Sequence, residues 1–455
     1  MSIVLSISLV GIALLLYTVT ILVRKSRFSS KSTKSLKVLP GPREWPIIGS
    51  ALTMAKYTKP WEGFSALRKV YGDIYGMRIA VALCDWSEKQ KKRRDITFPF
   101  THPRSNTFGL EQLETCIEVT IKDILDQIHS LNGSQEGSHD ALLFTSANLF
   151  YHFLCSKRFD YKDPKFIETI ENYHSIFCDL FCGYSLDFFP WIRFFNDNIL
   201  VQLNKLSQQV SSFTEPIFEE HRESMDEEKP RDLVDVLLAT RPSLSWHDSM
   251  VIVEDLVGGH SAMHNMWMWL LALVGVNPRV AMRIREEAEK ADEDESGLKL
   301  KHRSQLVYTE ATINEALRVV ASPIIPHRST KSTCIQGYDI PEDTLVFFNT
   351  CDLNMDETLW SEPTKFKPER FLRDDETRVF KPDYFIPFGT GKRSCLGDGI
   401  VRATLLLGLA TLVRQFDIDV PTGSQLLDLK QLPGTVLWPQ NDIKVRFTAR
   451  NSTPT

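Results

Sequence analysis

The chain has 455 residues, 43% hydrophobic and 24% charged, with a formal net charge of -5. That is ordinary globular composition, and it gives no footing for nucleic-acid binding, which asks for a basic surface. Eight scattered cysteines without a C-x-x-C pair argue against a disulfide framework and fit a reducing compartment.

Ser2 to Val23 carries no charge and is mostly Ile, Leu and Val. As a helix it spans about 33 Å, enough for a bilayer core. Arg24, Lys25, Arg27, Lys31, Lys34 and Lys37 follow it, and such a basic flank orients the rest of the chain toward the cytosol. Residues 1–24 are therefore expected to be a single-pass transmembrane anchor, and residues 25–50 a basic, proline-rich linker. Within that linker Pro40, Pro42 and Pro46 make Leu39 to Ser50 stiff and extended. Residues 51–455 remain for one catalytic domain, a size the length allows.

Trp61 to Tyr71 predicts a short helix and Ile74 to Ile79 a strand. Cys84-Asp85-Trp86-Ser87 leads into a basic helix with Lys89, Lys91, Lys92, Arg93 and Arg94. Further helices are predicted over Cys116–Ile128, Ala141–Cys155, Phe166–Phe181 and Ile199–Glu223, with a polar loop at Ser134 to His139. The apolar run Val251–Val276 is interrupted by Gly258-Gly259, which predicts a kink, because a mid-helix glycine costs about 1 kcal/mol against alanine. His260 and His264 stand one helical turn apart, a metal-ligand spacing, but Ser261 follows His260 where H-E-x-x-H has its glutamate.

Leu306 to Val320 reads as an amphipathic helix with Glu315 and Arg318 on one face. A strand pair is expected at Thr333–Tyr338 and Thr344–Asn349. Phe388 to Gly397 reads F-G-T-G-K-R-S-C-L-G. Gly389, Gly391 and Gly397 let the backbone turn tightly and approach something flat. The run Ile400–Val413 is apolar and free of proline, so Cys395 precedes a helix. The helix end and Arg393 are both expected to depress the Cys395 pKa. One isolated sulfur, close backbone approach and a nearby cation are what axial thiolate ligation of haem iron needs.

These residues resemble the haem-binding signature of the cytochromes P-450, the haem-thiolate monooxygenases. The resemblance implies a mainly α-helical fold with small β-sheets. It implies haem b (iron-protoporphyrin IX) with Cys395 as axial ligand, and a cofactor cradle of Phe388, Gly391, Arg393, Gly397 and His327. The E-x-x-R of Glu315 and Arg318, with Arg370 in F-K-P-E-R-F, matches the family's structural triad. The implied reaction uses O2 and electrons from NADPH-cytochrome P-450 reductase, with cytochrome b5 as a second donor, at the endoplasmic reticulum membrane. The basic helix is the expected docking face for the reductase.

Two departures from the family pattern stand out. Nothing separates the strand ending at Ile79 from the basic helix, so a segment near residues 79–82 is missing, and Gln90 replaces an arginine that usually follows the tryptophan; Arg93 or Arg94 is the candidate substitute. In Gly258-Gly259-His260-Ser261-Ala262, Ser261 stands where the family has an acid and Ala262 where it has a threonine. Gly259, His260 and Ser261 are accordingly the candidate catalytic group for proton delivery. That run and Cys84–Ser87 resemble one branch, the insect Spook and Spookier proteins, which implies a sterol precursor of ecdysteroids as substrate. Two rival readings share these residues: a non-catalytic haem or sterol binder, and a metal hydrolase at His260 and His264.

Overall fold

The computed structural model describes residues 39–42, 60–75, 88–101, 108–182, 198–240, 244–294, 296–320, 326–421 and 443–450. The expected anchor at Ser2–Val23, most of the linker, the Cys84–Ser87 run and the missing-segment junction lie outside them. Among the described residues no helix is long and apolar enough to cross a membrane.

The described chain is mainly α-helical with small two-stranded sheets. It divides into two compact units. The first takes in residues 1–86, 184–195 and 325–348; the second takes in 87–183, 196–324 and 349–455.

The first unit contains α1 (Pro60–Tyr71) and the strands β1 (Pro326–Arg328), β2 (Thr333–Ile335), β3 (Tyr338–Ile340) and β4 (Leu345–Phe347). The strand pairing differs from the sequence expectation. Gln336 and Gly337 both take positive φ, 48° and 84°, so the chain reverses there and β2 pairs with β3. Such a two-residue reversal matches the twist of the flanking strands. β4 pairs instead with β1, with His327 opposite Val346.

The second unit carries α2 (Glu88–Thr101), α3 (Phe108–Ser130), α4 (Ser138–Cys155), α5 (Pro164–Cys182), α6 (Asn198–Ser224), α7 (Leu233–Ala239), α8 (Trp246–Gly258) and α9 (His260–Gly275). These are followed by α10 (Pro278–Ala291), α11 (Val307–Val320), α12 (Thr350–Asn354), α13 (Asp398–Gln415) and the antiparallel pair β5 (Phe416–Asp419) and β6 (Arg446–Ala449). Local chemistry sets several starts. Asp232 caps α7 by accepting from the Asp235 N–H, and Ser245 caps α8 by accepting from the Asp248 N–H.

Periodicity sets the faces. On α3, Ile117, Ile121, Ile124 and Ile128 recur at helical spacing and are all buried. The face of α9 that meets α13 carries Trp267, fully buried against Gly408. A Cβ on Gly408 would stand 2.6 Å from the Trp267 ring, so only glycine lets these two helices approach this closely.

Candidate functional site

The cysteine loop is closed by its own backbone. The Cys395 N–H donates to the Phe388 carbonyl at 2.8 Å, and the Ser394 N–H to the Gly391 carbonyl at 3.2 Å. Gly389 and Gly391 take φ of 71° and 68°, the left-handed region that β-carbons disfavour. The Gly397 N–H, just ahead of α13, donates to Cys395 Sγ at 3.3 Å. Phe388 lies under the guanidinium of Arg402, which pairs with Asp398 and also donates to Asn314 Oδ1 at 2.7 Å. Through Asn314 the helix behind the cysteine is tied to α11, beside Glu315.

The basic helix reaches this loop from the other side. Arg94 donates to the Ser394 carbonyl at 2.6 Å, whereas Arg93 pairs with Asp248 on α8. Both arginines are half-buried and turned inward, whereas Lys91 and Lys92 are exposed. Of the two candidate substitutes for the arginine missing at Gln90, Arg94 is the one placed at the cysteine loop.

Burial and nearby charge depart from the sequence expectation at Cys395. Desolvation raises its thiol pKa, and the negative Asp398 at the start of α13 adds to the rise. The Gly397 N–H and Arg94 pull the other way without reversing it. Arg94 is a cation that acts on the sulfur, and no depressed pKa results. Cys395 and Asp255 are both exposed to solvent. Burial raises the Asp255 carboxyl, against the pull of Arg393, Arg93 and Arg94. Asp255 was not singled out from the sequence; an acid one turn before Gly259 on an apolar helix was the available signal.

Glu315, Arg318 and Arg370 form one cluster. Arg318 donates from Nε and Nη2 to the two oxygens of Glu315 at 2.8 and 2.9 Å, and both side chains are fully buried. Arg370 Nε donates to Glu315 at 3.0 Å, and the Lys367 N–H donates to Glu315 Oε1 at 2.9 Å. Remaining guanidinium protons go to the carbonyls of Asn354, Pro363 and Ser361. A buried charge pair holds only when its polar atoms are satisfied in this way. The cluster pins the segment from Asn354 to Arg370, leading toward the cysteine loop, onto α11.

The run Gly258–Ala262 marks a break. α8 ends at Gly258 and α9 begins at His260, with a tight bond from the Gly259 N–H to the Leu256 carbonyl at 3.0 Å. A Cβ on Gly259 would stand 3.0 Å from the Leu256 carbonyl oxygen and 3.5 Å from Phe150. His260 is fully buried, with Nδ1 donating to the Val257 carbonyl at 2.7 Å and Nε2 placed 3.4 Å from the Ser261 hydroxyl. Burial lowers its pKa to about 4, so the imidazole is neutral at pH 7 rather than titrating near neutrality.

His260 and His264 do not share a ligand point. His260 packs edge-on to Tyr173, and His264 turns to His139 and His174. The two rings of the hydrolase reading thus have different ring partners, although His174 acts on both. His327 lies on β1 in the first unit, edge-on to Phe348 at 5.3 Å. The cysteine loop, Arg393 and the Glu315 cluster all lie in the second unit.

The donor set fits a haem-thiolate centre: an exposed sulfur, a backbone N–H aimed at it, and the Arg94 guanidinium bonded to the residue before it. A family profile described as cytochrome P-450 matches residues 77–447. The chain is 30% identical to cytochrome P-450 307a1 of Drosophila melanogaster, over 84% of each protein. That alignment runs over 460 positions, more than the whole chain holds, so the relative carries residues without a counterpart here. Similarity extends to cytochrome P-450 2U1 of Mus musculus, at 27% over 85% of this chain and 86% of that one. It also extends to steroid 17-alpha-hydroxylase/17,20 lyase of Cavia porcellus, at 25% over 93% and 94%. With the profile covering most of its length and the helical fold around the cysteine loop, the chain belongs to the cytochrome P-450 family, whose members are monooxygenases that bind haem b.

Proposed function

We propose that this monooxygenase oxidises a sterol precursor of ecdysteroids, with Cys395 as the axial ligand of its haem. The observation that carries the site assignment is the reachable Cys395 sulfur, faced by the Gly397 N–H and flanked by Arg94. The substrate assignment is supported by the Gly258–Ala262 and Cys84–Ser87 runs and by the similarity to an insect relative. When bound, haem b supplies the activation of dioxygen and the insertion of one oxygen atom into the substrate.

The chain's own residues would then divide the work. Cys395 would hold the iron, and the Gly397 N–H would stabilise charge on the sulfur. Arg94 and Arg393 would offer cations to the haem carboxylates. Glu315, Arg318 and Arg370 would keep the cysteine segment from shifting. At the break between α8 and α9, the Ser261 hydroxyl and the neutral His260 Nε2 lie 3.4 Å apart in an apolar helix, a polar pair suited to ordering a proton route where Ala262 has no hydroxyl.

Membrane anchoring through Ser2–Val23, an endoplasmic reticulum location, and electron supply by NADPH-cytochrome P-450 reductase with cytochrome b5 belong to the same proposal. The test is spectroscopic. The reduced, CO-bound protein is expected to show the strongly red-shifted Soret band of a thiolate-bound haem, lost in Cys395→Ser. A sterol precursor is expected to shift the Soret band of the oxidised protein and to be hydroxylated when reductase and NADPH are added. An unchanged red-shifted band in Cys395→Ser would overturn the ligand assignment. A normal band without any sterol-induced shift or product would overturn the substrate.

A further inference from the structure

Three histidines from three helices meet away from the cysteine loop. His139 opens α4, His174 lies on α5 and His264 on α9. Their ring centroids are 4.4 Å apart for His139 and His264, 5.6 Å for His174 and His264, and 5.7 Å for His139 and His174. A point equidistant from all three lies about 3 Å from each centroid, the distance at which a zinc–imidazole bond of about 2.0–2.1 Å places a ring centre.

The chemistry of the three rings agrees with that spacing. His264 is buried, and its Nδ1 has no hydrogen-bond partner, a costly state for a buried polar atom unless something else engages it. His139 Nδ1 lies 3.1 Å from Asp140 Oδ1, which leaves Nε2 as the free ligand atom and supplies the carboxylate that orients metal-bound histidines. The His139 ring is 45% exposed, so an ion has a way in from solvent. The rings now meet largely edge to face, so a shared ion requires rotations that bring one nitrogen of each to the centre.

We propose that His139, His174 and His264 form a divalent-metal site of the zinc class, distinct from the haem, that clamps α4 and α5 to α9. Three imidazoles with an open fourth position suit zinc. His264 lies one turn beyond His260, so the clamp would hold the part of α9 that follows the break at Gly259. The group of such residues whose ligand atoms already lie together among the described residues, His221, Asp232 and Asp235, is already committed: both nitrogens of His221 are hydrogen-bonded, to the Ile217 carbonyl and to Asp232.

The test uses tag-free, haem-loaded protein stripped with EDTA and titrated with zinc chloride. One equivalent of zinc is expected to bind, to raise the melting temperature, and to show imidazole scattering at the zinc X-ray edge. His139→Ala, at a partly exposed position that leaves the core intact, is expected to weaken binding by tenfold or more, and Asp140→Asn by about tenfold through the orienting carboxylate. The haem spectrum is expected to be unchanged in both. Absence of stoichiometric zinc, zinc affinity unaffected by His139→Ala, or affinity lost instead in His221→Gln would each overturn the proposal.

Discussion

Arg94 donates a 2.6 Å hydrogen bond to the carbonyl of Ser394, the residue before Cys395, across 300 positions of sequence. This single bond ties the basic helix α2 to the loop that presents the sulfur. A hydrogen bond from a charged donor contributes about 1.5–3 kcal/mol. Arg94→Gln is therefore expected to lower haem retention while leaving helical content intact, and Arg94→Lys to recover part of it. The ratio of Soret to protein absorbance, read beside circular dichroism, checks this; equal haem content in wild type and Arg94→Gln would remove Arg94 from the site.

Glu315 accepts from Arg318, Arg370 and the Lys367 N–H with no exposure to solvent. Truncation to Glu315→Ala leaves two guanidinium groups without their carboxylate, a loss of roughly 3–5 kcal/mol. Expression is expected to yield little haem-loaded protein. A stable, fully loaded Glu315→Ala protein would show that the cluster does not lock the cysteine segment.

At the contact between α9 and α13, Gly408→Ala would drive a methyl group to 2.6 Å from Trp267. Overpacking of this kind costs about 1–3 kcal/mol, and the melting temperature is expected to fall. Trp267→Phe in the same chain should recover part of the loss by freeing the space. Additive rather than compensating effects in the double mutant would refute the clash.

His221 is buried against Asp232 at 2.8 Å. Burial pulls its pKa down, but the bond and charge of Asp232, the Ile217 carbonyl and Asp235 outweigh it, and the net shift is upward. A raised folded pKa means the charged pair stabilises fully below the unfolded value, about pH 6.5, and loses that contribution as pH rises through the folded value. Melting temperatures of wild type and His221→Gln should therefore differ most under mildly acid conditions and converge in alkali. A gap that widened with pH would reverse the sign and reject the assignment.

With its pKa held at about 4, His260 stays neutral through the physiological range. The ratio of product formed to NADPH consumed should show no imidazole inflection near pH 7. His260→Gln is expected to lower that ratio and raise peroxide release, because the Ser261 partner is altered. An inflection present in the wild type and absent in His260→Gln would restore a titrating relay.

Much of the architecture was written in local chemistry. Helical periodicity placed α4, α5, α6, α11 and α13 to within a few residues, because each buries one stripe of apolar side chains, while α3 begins at Phe108, well before the expected Cys116. The glycine pair at Gly258 marked the break, and the spacing around Cys395 marked a loop with one reachable sulfur ahead of a helix. Tertiary structure decided what depends on groups distant in sequence. Gln336-Gly337 turned β2 back onto β3 and left β4 for β1. Arg93 and Arg94, adjacent in the chain, went to different partners, Asp248 and Ser394. The pKa values of Cys395 and His260 moved opposite to the sequence expectation at the first and away from neutrality at the second, because desolvation is set by packing and not by neighbours in the chain. The meeting of His139, His174 and His264 was equally invisible, since nothing in three separate helices states which of their faces will converge.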